Sequence, residues 1–143
     1  MEDLIVKNKA SNNIKIYNTI RRLGLRPNHS GTIFILKAIQ LIQKQSDFII
    51  MNNIYIELSK ANESFTASQI RVAIKYAIDN RNEKKSIDNF EEIFGYEYDE
   101  EIFTNKDFIE ELSRVIEWYW FLLKYSIFQG WCRIWCRNGA EIK

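Results

Sequence analysis

The chain has 143 residues, the length of one domain, and 46% of them are hydrophobic and 14% aromatic. This apolar content excludes a disordered chain, and one proline and five glycines are too few turn residues for an all-β sandwich. The net charge of +1 by itself indicates no class of partner. We therefore expect an all-α fold.

Charge is unevenly distributed along the chain. Residues 1–45 carry eight Lys/Arg and two acids, whereas residues 83–117 carry four Lys/Arg and twelve acids. A basic N-terminal third could face a polyanion while the acidic stretch faces away. Two ordinary solvated faces are the alternative interpretation.

Three helices are predicted in the first half of the chain. Apolar spacing, capping residues and helix breakers set their bounds, which are 11–23, 29–44 and 46–61. The side chains expected to be buried on the second helix are Ile33, Leu36, Ile39 and Leu41. Ser46 is expected to cap the third helix, although the β-branched residues over 48–56 leave a strand as the alternative.

The fourth predicted helix carries the candidate site. Thr66 followed three residues later by Gln69 fits a capping box, and the helical pattern continues to about Asn80 with Ile70 and Ile74 on the buried side. With the third helix it forms a candidate helix-turn-helix, whose second helix would lie in the major groove. The residues expected to bind DNA are Thr66, Ser68, Gln69, Arg71, Val72, Lys75 and Tyr76.

Two more helices complete the predicted domain. The fifth is expected to begin at Ser86 or Asp88 and to end at Gly95. The sixth is expected to begin at Thr104 or Asn105 and to continue into the aromatic C-terminal stretch. The prediction is thus a six-helix domain with a C-terminal helical extension.

Several stretches, in order over residues 14–116, carry a resemblance to a known family. They are Ile20–Leu25 with His29 and Gly31, then 33–39, 54–58, Thr66–Ser68, 73–78, Ile93–Tyr96 and Thr104–Asn105. Together they resemble the C-terminal DNA-binding domain of the stage-zero sporulation master regulator of endospore-forming Firmicutes. The resemblance implies a helix-turn-helix in helices three and four, transcription-factor activity, and short repeated DNA sites bound by side-by-side copies.

The candidate recognition helix departs from this family. The family typically has Arg at the positions of Gln69 and Val72, Glu at Arg71 and His at Tyr76. Loss of an Arg that pairs with guanine removes about 1–3 kcal/mol of base discrimination. We therefore expect a DNA target different from the one that the family prefers.

The domain organisation is expected to be a flexible N-terminus over 1–10, an effector-like domain over 11–116 and an aromatic extension over 117–143. The family's regulator carries a receiver domain before this region, and here about a dozen residues precede the first helix. We therefore expect a stand-alone protein that no receiver phosphorylation controls.

The C-terminal extension holds all four tryptophans. An exposed apolar surface of this size is rare on a soluble monomer, so we expect a homodimer. The residues expected at its interface are Trp118, Trp120, Phe121, Tyr125 and Phe128. Packing against the chain's own domain, membrane spanning and an interfacial membrane anchor are the alternatives.

The sequence offers no catalytic or metal-binding constellation. Cys132, Cys136 and His29 are too few ligands for a zinc site, and no nucleophile or phosphate-binding loop is recognisable. We expect a cytoplasmic protein that is not an enzyme and has no cofactor or metal. Its expected partner is double-stranded DNA, and the rival hypothesis is a protein-interaction module that keeps the fold but has lost sequence-specific DNA binding.

Overall fold

A computed structural model describes the backbone of residues 13–44 and 50–125, together with their side chains except those of 117–125. These residues form six α-helices and one short 3₁₀ helix, and they contain no strand. The α-helices are α1 (13–22), α2 (Ser30–Lys44), α3 (Met51–Ala61), α4 (Ala67–Asp79), α5 (Glu83–Phe94) and α6 (Asn105–Tyr125). The 3₁₀ helix, Glu100–Ile102, was not predicted. The all-α fold with six helices is confirmed.

Helix α2 packs against three other helices, α3, α4 and α6. This position corrects the predicted buried face. Ile33 is 45% exposed, and Leu36 and Leu41 are only partly buried, whereas Ile39 is buried as expected. The buried side chains of α2 also include Phe34, Ile35, Ala38 and Ile42. A helix with neighbours on several sides buries a wider stripe than apolar spacing alone defines.

Helix α3 begins later than predicted. Its N-cap is Ile50, whose backbone is extended and whose carbonyl oxygen accepts hydrogen bonds from the N–H groups of Asn53 and Ile54. The first turn therefore closes at Ile50, and the predicted cap, Ser46, lies outside the described residues. Ile54 and Leu58 are buried and hold this helix against the core. Residues 51–61 are helical, so the strand alternative is wrong for this part of the chain.

Helix α5 begins earlier than predicted. Asn82 is the N-cap, and its side-chain oxygen accepts a hydrogen bond from the Lys85 N–H. The Asn82 N–H donates to the Gly24 carbonyl oxygen at 2.8 Å. This contact fixes the start of α5 beside the turn after α1. Ser86, one of the predicted starts, lies inside the helix, where its buried hydroxyl donates to the Leu23 carbonyl oxygen.

Gly24 is required at this junction for two reasons. Its φ of 94° lies in the left-handed region that favours glycine. A Cβ at this position would also overlap the backbone of Asn82. The turn after α1 and the turn before α5 are thus locked together, and the predicted end of the first helix before Gly24 is confirmed.

The sixth helix begins as predicted and extends to Tyr125. The Thr104 hydroxyl accepts a hydrogen bond from the Asp107 N–H, and Phe108, Leu112 and Ile116 are buried. Four of the predicted interface residues, Trp118, Trp120, Phe121 and Tyr125, lie where the side chains are not described, and Phe128 lies outside the described residues. Among the helices that are described, none combines the length and hydropathy needed to cross a bilayer.

Candidate nucleic-acid interface

Helices α3 and α4 form a helix-turn-helix, and α2 holds the turn between them. The Asn62 side chain donates to the Leu58 carbonyl oxygen at 3.0 Å and accepts a hydrogen bond from Lys37 at 3.2 Å. The Phe65 ring packs edge-on against Phe34, with ring centroids 5.1 Å apart. The turn is therefore fixed by both polar and aromatic contacts, which set the position of α4 relative to α2 and α3.

The predicted capping box at the start of α4 is confirmed. The Thr66 hydroxyl accepts a hydrogen bond from the Gln69 N–H at 3.2 Å, and the Gln69 side-chain oxygen accepts one from the Thr66 N–H at 2.9 Å. These two side chains were also predicted to bind DNA. The geometry assigns both of them a structural role first, because their oxygen atoms hold the first turn of α4.

The outer face of α4 presents the remaining predicted site residues to solvent. Ser68, Arg71, Val72, Lys75 and Tyr76 are exposed, with Val72 and Tyr76 at 58% and 57%. On the opposite face, Ile70, Ile74, Ala77 and Ile78 are buried. The structure thus brings the predicted side chains to one surface, and the predicted buried stripe is confirmed.

Two cations on this face are available for an anionic partner. Within the described residues, the Arg71 guanidinium makes no hydrogen bond or ion pair. Lys75 lies 3.5 Å from the Asp79 carboxylate, four residues along the helix. Both partners are more than half exposed, so this ion pair is weak and can open when another anion approaches.

Asn105 braces the interface and was missed by sequence reasoning. Its side-chain amide donates to the Tyr55 hydroxyl at 3.1 Å and to the Arg71 carbonyl oxygen at 3.0 Å. It therefore joins the start of α6 to α3 and to the middle of α4. The sequence signal was its place at a helix start, but local pattern could not reveal partners 34 and 50 residues away.

A cleft of about 630 Å³ lies between the turn before α2 and the outer face of α4. At Gly31, one of its lining residues, α2 and α4 approach closely, because a Cβ there would overlap the Ala73 carbonyl oxygen. The residues that line the cleft are Asn28, His29, Ser30, Gly31, Ser68, Gln69, Val72, Ala73 and Tyr76. Four of the seven predicted DNA-binding residues therefore line the same cleft as the turn before α2. The sequence analysis did not predict that this turn lies beside α4.

The structure modifies the interpretation of the charge pattern. Arg22 of the basic third pairs with Glu92 of the acidic stretch at 2.6 Å, and Asn89 donates to the Arg22 carbonyl oxygen. The two segments therefore meet where α1 packs beside α5 and do not occupy wholly opposite sides. Part of the basic charge of the first third is neutralised within the domain itself.

A second polar cleft lies on the acidic side, near the start of α6. It is lined by Tyr96, Asp99, Ile102, Asp107, Glu110, Glu111 and Arg114. Burial and the neighbouring Glu111 carboxylate, to which the phenol donates a hydrogen bond, raise the pKa of Tyr96 to about 12. Among the residues that the structure describes, no group of three or more His, Cys, Asp or Glu side chains could hold a metal ion.

Comparison with known proteins gives one match. The family model described as "Sporulation initiation factor Spo0A C terminal" matches residues 16–116, which is most of the chain. No curated protein and no solved structure matches this chain. The matched range includes the helix-turn-helix, the turn before α2 and Asn105.

Proposed function

This chain belongs to the family of Spo0A C-terminal domains, which are sporulation-related DNA-binding domains, and from that premise we propose that it regulates transcription by placing α4 in the major groove. The observation that carries the proposal is the solvent face of α4. Arg71 and Lys75 supply positive charge there, on a helix whose start and middle are held by Thr66 and Asn105.

The chemistry of this face suits direct readout of bases. A free guanidinium can pair with the acceptors of guanine, and a valine side chain can contact a thymine methyl group. Arg71 and Val72 are adjacent on α4, and Ser68 precedes them by one turn. Arg71 and Lys75 are thus the expected major-groove contacts, whereas Ser68, Gln69, Val72 and Tyr76 adjust base preference.

Selection from a randomised duplex library tests the proposal, because the target sequence need not be known. The full chain should enrich a defined sequence. The logarithm of its affinity for that duplex should fall linearly with the logarithm of the salt concentration. The slope should be near −4 to −5 for about four to six phosphate contacts. No enrichment together with an affinity that is flat in salt would refute the proposal.

Arg71→Ala and Arg114→Ala form a matched pair of variants. Each removes one exposed guanidinium, but Arg114 pairs with Glu111 at the acidic cleft, which Tyr96 and Asp107 also line. Arg71→Ala should weaken binding of the selected duplex by about 5- to 150-fold, the range of one specific base contact. Arg114→Ala should leave binding within about twofold, because one exposed ion pair has little effect on stability. Equal losses would exclude α4 as the reading helix.

The exposed apolar pair on α4 supports a second candidate function. Val72 and Tyr76 lie one turn apart and are each more than half exposed, as in a surface that docks another protein. A domain of this kind would keep the fold and give no enriched DNA sequence. The same selection experiment therefore distinguishes a transcription regulator from a protein-interaction module.

For the quaternary structure we infer a homodimer, supported by the aromatic composition of residues 117–143. Burial of a large apolar side chain contributes about 1.5–3 kcal/mol, so a stretch this rich in tryptophan favours a covering partner. Light scattering should give twice the chain mass. A monomer at all concentrations would refute the dimer without affecting the DNA-binding proposal.

A further inference from the structure

The His29 ring lies against the Tyr76 ring at the edge of the cleft between the turn before α2 and α4. The two ring centroids are 5.3 Å apart and the ring planes are inclined by 41°. Tyr76 is 57% exposed, so one side of its ring meets histidine while the rest faces solvent. Within the described residues, the Tyr76 hydroxyl makes no hydrogen bond, so aromatic contact is what orients this side chain.

His29 is held in place through its backbone. Its Nδ1 atom is buried and has no hydrogen-bond partner among the described residues. Its backbone is fixed on both sides, because its N–H donates to the Arg26 carbonyl oxygen and its carbonyl oxygen accepts from the Thr32 N–H. The Thr32 hydroxyl also donates to the Arg26 carbonyl oxygen at 2.7 Å. The ring is thus carried on a rigid turn.

The close crossing at Gly31 brings this turn to α4. Because glycine has no Cβ, the start of α2 approaches the Ala73 carbonyl oxygen and the Ala77 side chain. Tyr76 lies between these two residues in sequence, and His29 lies two residues before Gly31. The distance between the helices therefore places the histidine ring beside the tyrosine ring.

We propose that His29 is a positioning residue that sets the base preference of the domain by holding the Tyr76 ring in one orientation on α4. The proposal rests on the proposed function, in which Tyr76 faces DNA. An aromatic side chain with a free hydroxyl can reach several neighbouring base edges, and limiting its rotation restricts which base it contacts. His29 itself touches no base and acts through Tyr76.

The experiment is selection from the randomised duplex library with the full chain and four variants. They are His29→Ala, His29→Phe, Tyr76→Ala and the double variant His29→Ala/Tyr76→Ala. Tyr76→Ala should identify one base position at which discrimination falls, by about two- to tenfold, the range of one ordinary hydrogen bond. His29→Ala should lose discrimination at that same position, and the double variant should lose no more than Tyr76→Ala alone.

His29→Phe serves as the rescue variant, because it restores a ring without the histidine nitrogen atoms. It should keep the base preference of the unmodified chain. Circular dichroism and thermal unfolding of each variant separate loss of positioning from loss of fold. If His29→Ala were to unfold, an altered base preference in His29→Phe would still overturn the inference.

Four results would overturn the inference. If His29→Ala lost the same affinity for every sequence and showed a shallower salt slope, His29 would be a phosphate contact. Unchanged base preference in His29→Ala, or an altered one in His29→Phe, would show that ring contact does not set specificity. If the unmodified chain enriches no sequence, the proposed function fails and this inference fails with it. If it enriches one and only the His29 variants disagree, the proposed function stands.

Discussion

The crossing of α2 over α4 can be tested with Gly31→Ala. The added methyl group would overlap the Ala73 carbonyl oxygen and lie 2.8 Å from the Ala77 side chain. The first of these neighbours is main chain within a hydrogen-bonded helix, so it cannot rotate aside as a flexible side chain would. The two helices must therefore move apart along the contact that positions the candidate interface.

Two opposing effects determine the size of the change. Overpacking of a close contact destabilises a protein by about 1–3 kcal/mol. Replacement of glycine by alanine inside a helix stabilises by up to about 1 kcal/mol, and Gly31 lies in the first turn of α2, where less of this gain is realised. The expected net loss is about 1–2 kcal/mol, which lowers the melting temperature by roughly 4–8 °C per kcal/mol in a domain of this size.

Urea unfolding followed by circular dichroism measures this loss, and Ser30→Ala is the matched control. Ser30 is exposed and lies in the same turn of α2, so its substitution should change stability by less than about 0.5 kcal/mol. Affinity for DNA should fall in Gly31→Ala, because displacement of α2 moves the turn that supports Tyr76. If Gly31→Ala were as stable as the unmodified chain, the close crossing would not exist as described.

Three further predictions concern the elements that hold the interface. Thr66→Ala removes the cap of α4 and should lower the free energy of unfolding by about 1 kcal/mol in urea titration, and an unchanged value would contradict the capping box. Asn105→Ala removes two hydrogen bonds and should cost about 1–3 kcal/mol by the same measurement, whereas Lys106→Ala beside it should cost little. The raised pKa of Tyr96, about 12, keeps its phenol protonated in the folded state above the pH at which the unfolded chain loses that proton. Folding stability should therefore fall between about pH 10 and 12, less steeply in Tyr96→Phe, and equal slopes would refute the shift.

Local sequence pattern predicted α4 well because its determinants are local. The capping box joins residues three apart, and the buried stripe of Ile70 and Ile74 follows from helical spacing. The outward direction of Arg71, Val72, Lys75 and Tyr76 follows from the same geometry. These features depend on bonds within one helix, so the sequence contains all the information that they need.

Predictions failed where contacts between distant segments decide the outcome. Helix α5 begins at Glu83, where Asn82 caps the first turn and also bonds to Gly24, 58 residues earlier. The cap is a local signal that the prediction overlooked, whereas the bond to Gly24 depends on tertiary packing. Ile33 is exposed because the buried residues of α2, which include Phe34, Ile35, Ala38 and Ile42, lie on the other face of the helix, towards its neighbours α3, α4 and α6. Segments of opposite charge meet at Arg22 and Glu92 for the same reason.

By itself, the sequence determined the all-α class, the helix-turn-helix and the residues on the outer face of α4, since helix periodicity and capping are short-range properties. Only the tertiary structure decided which neighbours support that face. The brace from Asn105, the crossing at Gly31 and the contact of His29 with Tyr76 join residues that lie far apart along the chain. Such contacts depend on how whole helices pack, and packing is fixed by the complementary shapes of surfaces that no single segment contains.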